Sequence, residues 1–198
     1  MLRDCLGCRR PHPCCLCEYL APIETGVEVV FVQHEREAKR RIGTAWIAHR
    51  ALPGSRFSVG DLPGDLPERP DTYLLFPAPG AEDLGRRRFE RPPRLVVPDG
   101  TWSQARKLVQ LPALATLPCV RFDPTAASRF PLRVPPRPDL RSTLESVVEA
   151  LVAMEGRPER FERLLGALGA MVAVRDARRV ENGAGARHRH RRRTRPAV

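Results

Sequence analysis

No stretch of this 198-residue chain approaches the roughly 18 uninterrupted apolar residues that a membrane-spanning helix requires. The opening Met1-Leu2-Arg3-Asp4-Cys5 lacks the apolar core of a signal segment. A soluble, cytoplasmic protein is therefore expected, with no membrane among its partners. Also missing are the phosphate-cradling GxxxxGK[ST] loop, the dinucleotide fingerprint GxGxxG and the nucleophile elbow GxSxG. No His-x-Glu precedes a Cys-x2-Cys pair, which argues against a zinc deaminase. At 42% hydrophobic residues the chain can bury one substantial core, but it is too short for two full domains.

Cysteine is concentrated rather than dispersed. Of the six, Cys5, Cys8, Cys14, Cys15 and Cys17 fall in the first seventeen residues, and only Cys119 lies elsewhere. Without a secretion signal such crowding points to metal and not to disulfides. Cys5-x2-Cys8 followed by Cys15-x-Cys17 offers four thiolates in two close pairs, which suits closed tetrahedral zinc, with Cys14 as a competing ligand. Such a site would be structural, because protein fills every coordination position. Charge is uneven as well. Nine arginines against Asp176 and Glu181 between Arg175 and Val198 put +7 of the formal +11 in a C-terminal tail. The tail's Gly/Ala/Arg/His composition cannot build a core, and its expected use is sequence-independent phosphate contact. The chain thus divides into a cysteine knuckle (1–20), a main domain (21–179) and a basic tail (180–198).

Along the main domain, Val27–Val32 is a nearly continuous β-branched run of strand length. His34–Leu52 reads as a helix interrupted near Gly43, followed by a Pro/Gly-rich loop from Pro53 to Pro70. Tyr73–Phe76 and Leu95–Val97 are short strands stopped by Pro77 and Pro98; a helix follows the second from Thr101 to Leu111. Cys119–Phe122 is a further strand. After a proline-rich stretch at 130–138, Leu144, Val147, Val148, Leu151 and Val152 repeat at helical spacing, as do Phe161, Leu164, Leu165, Leu168 and Val172. This alternation predicts an α/β fold with a mostly parallel sheet.

Asp99-Gly100-Thr101-Trp102 falls where a predicted strand passes into a helix, the place where open α/β sheets hold ligands. Gly100 permits close backbone approach, the helix-start amides suit a carboxylate or ribose, and Trp102 can stack. The plain alternative is an aspartate helix cap beside a core tryptophan. Ser142-Thr143-Leu144-Glu145 is a capping-box pattern, whose two hydroxyls at a helix start also suit the amino-acid part of a cofactor. His34 and His49, on one predicted helix, are read as surface or structural.

These motifs together resemble the DTW-domain family, whose Asp-x-Thr-Trp signature stands here as Asp99-Gly100-Thr101-Trp102. Cys5-x2-Cys8-x-Arg10-Pro11-x3-Cys15-x-Cys17, Leu75-Phe76-Pro77, Leu132-Arg133 and Ser142-Thr143-x-Glu145 match its other segments in order, over about residues 5 to 152. Gly43-Thr44 stands where the family has Asn-Thr, and Ser146 where an alanine is usual. The resemblance implies a SPOUT-like fold with a knotted cofactor site. It also implies that S-adenosylmethionine donates a 3-amino-3-carboxypropyl group to N3 of a tRNA uridine. The expected partner is tRNA and not DNA, and a monomer could work alone. Leu75, Phe76 and Pro77 would line the adenine pocket, while Arg133, Ser142 and Thr143 would meet the cofactor's carboxylate. Asp99 would be either the base for uridine N3 or a binder of the cofactor's amino group or ribose, with Gly100, Thr101 and Trp102 around it. Zn2+ would occupy Cys5, Cys8, Cys15 and Cys17. A SPOUT-type RNA methyltransferase and a non-catalytic zinc-knuckle RNA-binding protein are the alternatives.

Overall fold

The computed structural model describes residues 5–8, 15–38, 43–124, 128–129 and 140–172. Its centre is β1 (Glu28–Gln33), whose last five residues are all buried, as a strand covered on both faces requires. Around it lie β2 (Arg56–Val59), β3 (Thr72–Leu75), β4 (Glu82–Asp83), β5 (Arg94–Asp99) and β6 (Cys119–Arg121), in the order β2-β1-β5-β3-β6-β4. Every pairing is parallel. All the strands therefore end on the same edge of the sheet, and the loops leaving them share that edge.

The two-residue period of a strand sorts its side chains between two helical layers. Val29 and Phe31 of β1, Leu95 and Val97 of β5, and Tyr73 and Leu75 of β3 face one layer. That layer is built from α2 (Thr44–Ala51), α5 (Thr143–Glu155) and a last helix, α6, over residues 158–172. Val30, Val32, Leu74 and Val96 face the other layer, packing on Leu108 and Leu114 of α3 (Trp102–Leu108) and α4 (Pro112–Ala115). A one-turn helix, α1 (Glu35–Ala38), follows β1. The parallel α/β expectation holds.

α5 shows why these residues make a helix. Ser142 and Glu145 close a capping box, Leu144, Val147, Val148 and Leu151 form one buried stripe, and Gly156 ends it at φ +67°. Thirteen residues at 1.5 Å each span about 20 Å, the length of β1. The helix thus runs from the strand-end edge to the opposite one, where Glu155 accepts from the Thr25 hydroxyl and the Gly26 amide. That far edge is also ionic: Glu28 pairs with Arg56, Arg69 and the buried Arg94.

Several boundaries differ from expectation. The segment 53–70 contains β2, a short edge strand whose half-buried RFSV gives little apolar signal. Pro98 does not stop β5, which runs on to Asp99. The ladder to β3 has already ended at Leu74 and Val96, so the missing proline N–H costs no pairing there. The helix expected over 101–111 breaks before Pro112, because Leu111 must be extended ahead of a proline (φ −62°, ψ 140°). His34 follows β1 directly, while His49 lies on α2 beyond the extended Gly43, so the two histidines are not on one helix. Cys14, Arg133, the proline-rich stretch and the basic tail lie outside the described residues. Among the described residues, no helix is long and apolar enough to cross a membrane.

Candidate active site at the strand-end edge

Asp99 is the last residue of β5 and stands in register beside Gln33, the last of β1. Both follow the odd-numbered alternation that carries Val97 and Phe31 toward the α2/α5/α6 layer, so both side chains turn to the same face. The Asp99 carboxylate is buried (3% exposed) and is held at each oxygen. Gln33 Nε2 donates to Oδ2 at 2.7 Å, and the Thr143 hydroxyl donates to Oδ1 at 2.6 Å. A carboxylate only accepts, so the glutamine must turn its NH2 toward it. The Asp99 carbonyl takes the His34 amide at 2.9 Å. Two segments 44 residues apart, Asp-Gly-Thr-Trp and Ser-Thr-Leu-Glu, thus converge on one buried anion.

Asp99 is not a helix cap. That task falls to Thr101, whose hydroxyl accepts from the Gln104 amide while the Gln104 side chain accepts from the Thr101 amide. Trp102 is partly exposed and not a core residue. Gly100 has a local reason to lack a side chain: a Cβ there would lie 2.9 Å from Gln104 Cβ and 3.4 Å from His34 Cβ. Across the crevice, Ser142 caps α5, and the buried Glu145 carboxylate accepts from the Ser142 amide and hydroxyl. It also accepts from the Ser128 hydroxyl and the Arg129 amide at 2.6 Å, so one side chain fixes both the helix start and the loop leading toward it. Buried Arg141, next to that cap, pairs with Glu149 at 2.8 Å. Leu75 and Phe76 leave β3 on opposite faces, Leu75 with α5 and Phe76 toward α3 and α4, while Pro77 is exposed.

The groups assembled here suit an amino-acid-bearing nucleoside. A buried carboxylate accepts from an ammonium or from ribose hydroxyls, and the first amides of the 13-residue α5 open on the same edge. Residue spacing alone could not find Gln33, Ser128, Arg129 or the second role of Glu145. Gln33 did carry a signal: it is a polar residue closing a fully buried parallel strand.

At the chain's start, Cys5, Cys8, Cys15 and Cys17 gather with all four Sγ atoms within 4.8 Å of one another. The separations Cys5–Cys17 3.5 Å, Cys5–Cys15 3.6 Å and Cys8–Cys15 3.8 Å match the edge of a zinc–thiolate tetrahedron, about 3.8 Å for 2.3 Å bonds. A Cβ on Gly7 would stand 2.8 Å from Cys17 Sγ, so only glycine lets the loop close over the sulfurs. The Cys8 amide, followed by the Cys17 thiol, lowers Cys5 to about 6, whereas its hydrogen bond to Cys5 pushes Cys17 up to about 12. Ionising one sulfur therefore opposes ionising the next, a conflict that a divalent cation relieves. The cluster is joined to the body: Leu16 is buried in the main core, and the Tyr19 ring packs closely on Gly166 of α6.

The DTW domain family profile matches residues 2–175. The chain is 30% identical over 195 residues to tRNA-uridine aminocarboxypropyltransferase 2 of Drosophila melanogaster, covering 91% of this chain and 76% of that one. It is 30% identical to the Mus musculus protein of the same name, covering 86% and 62%. It is 26% identical to tRNA-uridine aminocarboxypropyltransferase A of Arabidopsis thaliana, covering 85% and 79%. No solved structure matches the chain significantly.

Proposed function

Because this chain belongs to the DTW domain family, we propose that it is a tRNA-modifying enzyme that forms 3-(3-amino-3-carboxypropyl)uridine with S-adenosylmethionine as donor. The observation that carries this reading is the buried Asp99 carboxylate, bonded by Thr143 at the strand-end edge, where two distant family motifs form one constellation. Bound S-adenosylmethionine would supply a γ-methylene activated by the sulfonium: uridine N3 gains this carbon, methylthioadenosine leaves with the carbon–sulfur bonding pair, and the N3 proton passes to solvent. The protein's own contribution is orientation, since it must present this carbon rather than the methyl group.

Asp99 serves as the fixed anion for the donor's ammonium or ribose. Supporting this, both its oxygens are already oriented by an N–H and an O–H donor of the protein. Arg133 and the backbone start of α5 at Ser142 and Thr143 meet the donor's carboxylate, the end of β3 at Leu75, Phe76 and Pro77 borders its adenine, and Gly100, Thr101 and Trp102 shape the loop beside it. The fold is SPOUT-like, with a knot in the loops on the cofactor side; the all-parallel sheet with its site on the strand-end loops supports it. Zn2+ staples residues 1–20 to the catalytic domain (21–179), as the sulfur geometry supports. tRNA lies against α3, which begins at this edge and exposes Arg106 and Lys107 in a stretch with no acid from Thr101 to Pro118. The tail (180–198) adds phosphate contact, and one cytoplasmic copy acts alone.

The test incubates the protein with unmodified tRNA and S-adenosylmethionine labelled in either the methyl or the aminocarboxypropyl carbons, followed by nucleoside mass spectrometry. Aminocarboxypropyl label on uridine is expected. Methyl label would make the protein a methyltransferase, and no label from several tRNA pools would favour an RNA-binding protein. Asp99→Asn separates the roles of the carboxylate: a donor-binding anion loses affinity for S-adenosylmethionine, whereas a base loses turnover with affinity kept.

A further inference from the structure

We propose that Gln33 is the positioning residue of this site, and that its amide N–H locks the Asp99 carboxylate in the orientation that receives the donor. The inference rests on the transferase reading above. Gln33 lies at the end of β1, paired in register with Asp99, and is 7% exposed. Its Nε2 stands 2.7 Å from Asp99 Oδ2, and the backbone of Gly43, just before α2, lies close to it, since a Cβ there would stand 3.6 Å from that nitrogen. A side chain buried and bonded in this way cannot reverse its amide, because its carbonyl would then face a carboxylate. The Thr143 hydroxyl on the other oxygen can rotate to donate or accept. Gln33 therefore sets the polarity of the pair, and Thr143 follows it.

This assignment makes a prediction that a merely structural glutamine does not. In Gln33→Glu the new carboxyl keeps the shape but supplies a donor only while protonated, and two carboxyls at this distance share one proton. The ratio of variant to wild-type kcat/KM is then highest at low pH and falls as pH rises through the pair's upper apparent pKa. Gln33→Met removes the donor at every pH. It should raise KM for S-adenosylmethionine about tenfold or more with kcat nearly kept, the size expected for a hydrogen bond to a charged group. The experiment measures both variants and Asp99→Ala between pH 5.5 and 9, on protein whose folding is checked by circular dichroism and thermal melting. It reads S-adenosylmethionine affinity by calorimetry beside tRNA modification. A pH-independent ratio for Gln33→Glu, or a wild-type KM for Gln33→Met, overturns the proposal. An inert Asp99→Ala substitution would instead overturn the reading on which it rests.

Discussion

Replacing Thr143 by valine removes one hydroxyl and almost no volume. In the folded protein that hydroxyl donates at 2.6 Å to an Asp99 carboxylate that is 3% exposed, so little water can take its place. The capping box of α5 belongs to Ser142 and Glu145 and survives the change, and threonine and valine are both β-branched, so helix propensity barely moves. What remains is the loss of a hydrogen bond to a charged group, about 1.5–3 kcal/mol. For a chain of this size that lowers the melting temperature by about 3–12 °C. Affinity for S-adenosylmethionine should fall with it, because the carboxylate loses one of the donors that fix it. Differential scanning calorimetry and isothermal titration read the two effects, and Thr143→Ser, which keeps the hydroxyl, should recover most of both. A valine variant within about 0.5 kcal/mol of wild type in stability, with unchanged donor affinity, would show that the Thr143–Asp99 contact supports neither the fold nor the site.

Cys8→Ala should abolish a metal content of one zinc per chain, read by plasma mass spectrometry, and should lower the melting temperature as strongly as chelation does; equal melting of apo and holo protein would refute a structural metal. Gly100→Ala brings a Cβ to 2.9 Å from a Gln104 Cβ that is anchored to the helix backbone, and should cost about 1–3 kcal/mol in urea unfolding. A neutral result would mean that the capping box shifts freely. His49 is half-buried between Phe31 and Phe57, its Nδ1 is 2.8 Å from the Ser55 hydroxyl, and burial holds its pKa below the ordinary imidazole value. The unfolded chain therefore takes up this proton first, so the stability His49 contributes is present above about pH 6.5 and is lost as pH falls toward the lowered folded value. His49→Gln should flatten that part of the pH–stability curve, and an unaltered slope would remove His49 as its source.

What could be read from the sequence divides by the kind of signal. Val27–Val32 and Leu95–Val97 were legible because strands buried on both faces must be continuously apolar, and the stripes of α5 and α6 because one helical face must be. β2 and β4 were not, since a half-buried edge strand and a two-residue strand carry almost no pattern. Asp99, Ser142 and Thr143 were legible as motifs, yet their contact was not, because nothing local says that residue 143 returns to residue 99. Proline misled at Pro98, where the stop it signals depends on which neighbour the missing N–H would have faced. Thr101 took the capping role suspected of Asp99, since its hydroxyl is placed to meet the Gln104 amide.

The parallel sheet explains why motifs so far apart in the chain meet. With every strand running the same way, β1, β3 and β5 deliver Gln33, Leu75 and Asp99 to one edge, and the return helix α5 must begin where such strands end. Its first turn therefore lands beside Asp99, while its last turn is tied to Thr25 and Gly26 at the opposite edge. The cysteine cluster shares the support of this edge, since Leu16 is buried in the core that holds α5 and Tyr19 packs on α6. A loosened cluster would disturb the layer against which α5 is seated before it disturbed Asp99 itself. Metal loss should therefore weaken donor binding through the position of Thr143, in proportion to lost stability, and not by removing a group that touches the donor.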